Sequence, residues 1–274
     1  MKKILCPTDF SEAAQSGVAY AAKLAASLGA ELTLYHVKAL FDFTPIELAV
    51  GKTVILEEIR RQLDELSFEV ARTYRITCHG EVDSGLTGTT SAIAKKAVGY
   101  DLVVMGTNGA DDLHQFFTGT NTYKTILKAE TPVILVPESG LYSAIKTLVF
   151  AFDYLRNRKL PMEQLAALAE LFDCEVIILQ VMEEAYSETV DEELQELQFI
   201  FNTRYGDKFR YRFDTIRSSD IAGAINSYVS RNQPDALALC AVHRGLIERL
   251  FHTSTIKHIT LATDYPVVVF HHDE

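Results

Sequence analysis

The sequence predicts an α/β protein built as two tandem doubly wound domains, each a mostly parallel sheet with helices on both faces. Three observations carry this prediction. Short apolar runs alternate with helical patterns in the order βαβαβαβαβ through the first half, the order that right-handed crossovers between parallel strands produce. The same plan restarts after Pro137: FDCEVIILQV echoes LGAELTLYHV, PDALALCA echoes YDLVVMGT, and YPVVVF echoes TPVILV. The length of 274 residues suits two domains of ordinary size.

Lys3 to Thr8 (KILCPT) reads as the first strand, stopped by Pro7 and the polar Asp9. Ser11 is a good N-cap for SEAAQSGVAYAAKLAASLG, an Ala-rich amphipathic helix closed by Gly29. Glu31 to Val37 (ELTLYHV) is the second strand. Residues 38–45 form a connection, and a longer helix follows over about Ile46 to Ala71. Thr73 to His79 is the third strand, leading into the glycine-bearing GEVDSGLTG, and Thr87 to Val98 the next helix. Leu102 to Met105 and PVILV are short, bounded apolar runs of the kind that form buried strands. A helical pattern between them runs to Lys128.

ESGLYSA, after Pro137, is a short linker and sets the domains at 1–140 and 141–274. In the second copy, Ile145 to Ala151 and Asp153 echo Ile4 to Asp9, and Gln180-Val181 stand where His36-Val37 stood. Two unrelated α/β domains are the alternative to a duplication.

The chemistry concentrates between Leu102 and Val136. A buried strand is followed by Gly106 and Gly109, then nine residues, then Gly119 and Thr120 at the head of a helix. Glycines let the backbone approach an anion and aim N–H groups at it, while the helix end adds a partial positive charge. Thr120 or Asn121 can cap that helix. This G-x2-G-x9-G-[ST] spacing is neither the Walker pattern nor the dinucleotide fingerprint. The bland reading is a tight loop whose glycines merely supply positive φ. Asp9 and the glycine loop both follow strand ends, so one crevice can hold both.

The spacing resembles the nucleotide-binding signature of the universal stress protein family, in its ATP-binding branch, and nearly the whole chain resembles the tandem form of that family. The resemblance implies a five-stranded parallel sheet of order 3-2-1-4-5 in each copy. It also implies pairing of two copies through the strand carrying PVILV or PVVVF, homodimers included. It assigns the adenosine end of an ATP site to Pro7, Thr8 and Asp9, and the adenine contact to the backbone of Val37. Met105, Gly106, Gly109, Gly119, Thr120 and Asn121 correspond to the ribose and phosphate loop, although the family usually carries an apolar residue at the position of Asn121. The implied role is cytoplasmic regulation under stress through protein partners that the sequence does not name. Any ATP hydrolysis is expected to be slow, since no Walker lysine is found to meet transition-state charge. The alternatives are a slow ATPase or adenylate-handling enzyme, and a nucleotide-free small-molecule or partner-binding module.

The second copy departs from the signature. The offset of 134 between Pro132 and Pro266 places Cys240 at Gly106, His243 at Gly109 and Thr253 at Gly119, with Ser254 keeping the hydroxyl. Side chains there occupy space that a phosphate needs, so one ATP per chain is expected.

Other residues weigh less. Asp9 reads as a ligand to ribose or adenine, with capping alongside Ser11 as the competing role. His36 reads as a satisfied core or rim histidine. Asp111 and Asp112, in the loop, could hold Mg2+ on the phosphates, but a solvated tip is the simpler reading. Cys240-x2-His243 lacks the second close pair that a zinc site needs. DEELQE, from Asp191, is a solvated helix face. Cys6, Cys78, Cys174 and Cys240 are widely spaced, as free thiols are. A net charge of −11 argues against nucleic-acid or anionic-membrane partners, and no apolar run reaches the length of a membrane span.

Overall fold

Strand β1 (Lys3–Pro7) buries Ile4, Leu5 and Cys6, and helix α1 (Glu12–Leu28) returns across the sheet behind it. In this computed structural model the residues described are 2–85, 88–107, 129, 131–137, 142–152, 161–182, 189–241 and 265–271. They divide into two compact units, Met1–Tyr142 and Ser143–Glu274.

The caps of α1 fall at the residues the sequence names. Ser11 Oγ accepts the Ala14 N–H at 3.2 Å, and Gly29 closes the helix in the left-handed region at φ 61°. The buried face of α1 is largely Ala and Gly, so its backbone can lie close to the strands. Strand β2 (Glu31–Val37) pairs in parallel with β1 and with β3 (Cys78–Asp83). Strand β4 (Leu102–Thr107) pairs with β1 on its other side and with β5 (Val133–Pro137). The order in the first unit is β3-β2-β1-β4-β5, all parallel.

Two expectations are corrected between β2 and β3. The helix expected over 46–71 is two helices, α2 (Pro45–Val50) and α3 (Lys52–Tyr74), preceded by a 3-10 turn at Leu40–Asp42. They break at Gly51, whose φ of 111° and ψ of 127° lie outside any helical region. The third strand, expected over 73–79, starts at Cys78, because α3 runs on to Tyr74 and closes on Arg75 in the left-handed region. Gly80 belongs to the strand rather than to a loop: a Cβ there would meet Leu63 Cγ at 2.9 Å, so the glycine lets α3 seat on β3. Helix α4 (Thr89–Ala97) then leads to β4.

Helix α2 carries a capping box, in which Thr44 Oγ1 accepts from the Glu47 N–H while the Glu47 carboxylate accepts from the Thr44 N–H. Lys38 Nζ donates to Glu47 at 2.8 Å, and with the Thr44 bonds this holds the carboxyl at about 2, against an ordinary 4.5. A depressed carboxyl pKa contributes stability above its ordinary value and loses it as pH falls toward the folded one. Carboxyl NMR should therefore show Glu47 titrating near pH 2, with the α2 amides losing exchange protection between about pH 4.5 and 2.

The second unit repeats the plan with β6 (Thr147–Phe152), α5 (Met162–Phe172), β7 (Glu175–Met182), α6 (Thr189–Tyr205), β8 (Arg210–Arg217), α7 (Ile221–Asn232), β9 (Ala236–Ala241) and β10 (Val267–His271). Its order, β8-β7-β6-β9-β10, is again 3-2-1-4-5 in its own count. The registers agree with a duplication: Gly106 lies opposite Val136 and Cys240 opposite Phe270, both members of the second pair being displaced by 134. Lys3 opposite Glu31 and Thr147 opposite Glu175 give an offset of 144 for the first two strands. Among the described residues no helix is long and apolar enough to cross a membrane.

Candidate functional site

In a sheet of order 3-2-1-4-5, the connections leave β1 and β4 in opposite directions, and a crevice opens between their carboxyl ends. A cleft of about 200 Å³ lies at that place in the first unit. Pro7, Thr8, Asp9, Val37, Met105 and Gly106, six of the ten residues named from the sequence, line it together. Gly109, Gly119, Thr120 and Asn121 lie outside the described residues, as do Asp111, Asp112, Asp153, His243, Thr253 and Ser254. The side chain of Cys240 is also outside them, though its place in β9 is described.

The β1 side of the cleft is a tightly bonded turn. Thr8 N–H extends the ladder by one bond to the Tyr35 carbonyl at 2.9 Å, and Thr8 Oγ1 accepts from the Phe10 N–H at 3.2 Å. Phe10 adopts φ 67°, unusual for a bulky residue, and its ring stacks on His36 with centroids 5.0 Å apart. The Thr8 carbonyl accepts from His36 Nδ1 at 2.8 Å, which fixes the proton on that nitrogen. Burial pushes the His36 imidazole below its ordinary value, so it is neutral at pH 7.

Asp9 does part of what the bland reading expects. Its Oδ1 accepts from Ser11 N–H at 3.0 Å and from Ser11 Oγ at 2.6 Å, orienting the N-cap of α1. No described residue bonds its Oδ2, and the side chain is exposed at the mouth of the cleft.

Val37 contributes main chain. In a parallel pair alternate residues face the same neighbour, so Tyr35 and Val37 turn their N–H and C=O toward β1. Strand β1 stops at Pro7, opposite Tyr35, two residues short of Val37. The next ladder bond, from Val37 N–H to the Thr8 carbonyl, is not made, and that carbonyl accepts from His36 instead. A donor and an acceptor on one residue therefore face the cleft.

The far wall is β4 pressed against α1. A Cβ on Gly106 would lie 1.8 Å from the Ala13 carbonyl oxygen, and one on Gly17 would lie 2.4 Å from Gly106 N. In sequence Gly106 reads as part of a phosphate loop or as a glycine supplying positive φ; the structure shows that it is also required by the helix above it. Ala13 and Ala14 complete that wall.

Thr89 and Ile93, at the start of α4, also line the cleft, and Thr89 Oγ1 donates to Asp42 at 3.2 Å. Sequence reasoning passed over both. Their signal was the glycine-bearing loop before α4, which places a helix N-terminus at the carboxyl edge of the sheet. Among the described residues no three His, Cys, Asp or Glu side chains gather as a metal site. Burial raises the Cys78 thiol to about 12 and the Cys174 thiol to about 11, so neither is a ready nucleophile.

A larger cavity, about 780 Å³, lies in the second unit at the amino ends of β7 and β8. That is the end away from the ligand crevice of such a sheet, and its Arg210 already bonds the Asp173 carbonyl oxygen at 3.1 Å. Size does not make it the site.

Comparison with known proteins agrees with the fold. Residues 1–137 match the Universal stress protein family. Over 139 residues the chain is 30% identical to the universal stress protein in the QAH/OAS sulfhydrylase 3' region of Thermus aquaticus, covering 49% of this chain and 98% of that one. A universal stress protein of Methanocaldococcus jannaschii is 25% identical over 138 residues, covering 49% and 81%. The crystal structure of a universal stress protein from Archaeoglobus fulgidus spans 98% of both chains with a TM-score of 0.72 at 16% identity, a likeness of fold along the whole length. The chain belongs to the universal stress protein family, with two units of that fold in tandem.

Proposed function

We propose that the first unit binds ATP in this cleft and that the protein acts as a nucleotide-dependent regulatory or interaction module of the cytoplasmic stress response. The observation that carries the reading is the open main chain of Val37 beside the Thr8–Asp9 turn. Its N–H and C=O complement the ring-nitrogen acceptor and amino donor on the edge of adenine. Asp9 is then within the cleft for ribose or base, and Met105 and Gly106 lead toward Gly109, Gly119, Thr120 and Asn121 for the phosphates. Mg2+, if carried, would ride mainly on the phosphate oxygens. The described lining includes no Lys or Arg to meet transition-state charge, which favours holding the nucleotide over turning it over.

The test is the ultraviolet spectrum and mass of whatever is released when freshly purified protein is denatured. Adenine absorbance with the mass of ATP is expected. Protein that releases no nucleotide, and shows no heat on titration with ATP at millimolar concentration, would sink the reading.

A further inference from the structure

We propose that His36 is a positioning residue for nucleotide recognition: it draws the Thr8 carbonyl out of the β1–β2 ladder and so keeps the Val37 main chain available to the base. The inference rests on the ATP reading for its ligand, but its geometry stands in the free protein. Thr8 N–H bonds the Tyr35 carbonyl, which sets the register in which Val37 N–H would next reach the Thr8 carbonyl. His36 Nδ1 occupies that carbonyl at 2.8 Å instead. The ring is buried, and Phe10 lies over it at a centroid distance of 5.0 Å. Phe10 takes its left-handed conformation at this point, turning the chain so that Asp9 reaches the cleft while Ser11 begins α1. One imidazole thus holds both the carbonyl that would close the ladder and the residue that turns the chain.

The chemistry distinguishes this role from plain filling of the core. Asparagine carries its amide nitrogen on Cγ, where histidine carries Nδ1, and can donate the same bond. Glutamine places its nitrogen one atom further, as Nε2 is placed, and leucine donates nothing. All three substitutions remove the stack on Phe10, so differences among them report the hydrogen bond.

The experiment uses the full chain with His36→Asn, His36→Gln and His36→Leu, read by ATP calorimetry and by amide hydrogen exchange without ligand. His36→Asn should keep ATP affinity within about threefold, while His36→Gln and His36→Leu weaken it about tenfold or more. In the ligand-free protein the Phe10 and Ser11 amides, which bond Thr8 Oγ1 and Asp9 Oδ1, should exchange about tenfold faster in the Gln and Leu variants and stay protected in the Asn variant. Equal affinities in all four proteins would overturn the proposal. So would equal losses in all three variants that track their melting temperatures, since His36 would then act as core packing. If the parent itself binds no ATP, the nucleotide reading fails, and the exchange pattern at Phe10 and Ser11 alone decides the positioning role.

Discussion

Gly106→Ala is expected to destabilise the protein by at least about 3 kcal/mol in the absence of any ligand, which corresponds to a melting midpoint roughly 6–12 °C lower. The new methyl would lie 1.8 Å from the Ala13 carbonyl, a backbone atom of a capped helix that cannot rotate aside. Gly17→Ala should act in the same direction, since its methyl would lie 2.4 Å from Gly106 N. Gly99→Ala is the matched control, because a Cβ there meets nothing within 4 Å. Gly51 would be a poor control: its φ of 111° strains any side chain, whatever room surrounds it. Thermal denaturation of ligand-free protein checks the prediction. A Gly106→Ala protein that melts like the parent and loses only nucleotide binding would return Gly106 to the phosphate role alone.

Calorimetric titration of the full chain with ATP should give about one site, and Gly119→Val should weaken it by about a hundredfold or more, on the order of 3 kcal/mol. The argument is the backbone approach a phosphate needs: a β-branched side chain adds bulk and resists the positive φ that glycine permits. In the second copy the aligned residues are Cys240, His243 and Thr253, three side chains in place of three glycines. A stoichiometry near two, or a Gly119→Val protein with the parent's affinity, would show that glycine spacing was given too much weight.

What the sequence revealed, and what it hid, follows from where the physical signal resides. Ser11, Gly29 and the bounds of β2 were legible to the residue, because a hydroxyl cap, a left-handed glycine and an apolar run each leave a mark in the letters. The end of α3 was not. It closes on Arg75 at φ 55°, and a left-handed arginine looks like any other helix-forming residue in sequence. Asp173 and Gln233 close α5 and α7 in the same way. Gly80 misled in the opposite sense, reading as a loop residue where it makes room for Leu63 against a strand. At the site, six contributors near the ends of β1, β2 and β4 were found, and these six, all within the described residues, meet at one cleft. The carbonyl of Thr8 and the open main chain of Val37 could not be read directly, since backbone groups have no letter of their own. The double duty of Gly106 was hidden for a related reason: it depends on a helix ninety residues earlier in the chain.

The close approach of α1 to β4 also constrains how the two copies could have diverged. A side chain at the position of Gly106 and an intact helix across it exclude one another. The cap-to-cap offset of 144 between Gly29 and Asp173 carries Gly17 to Pro161, which precedes α5 instead of lying within it. Cys240 is thus found in the copy in which Pro161, outside α5, stands at the position of Gly17. In a copy that keeps a helix packed as α1 is over β4, a cysteine in place of Gly106 would meet the Ala13 carbonyl, so the strand glycine is retained for as long as the helix lies across it.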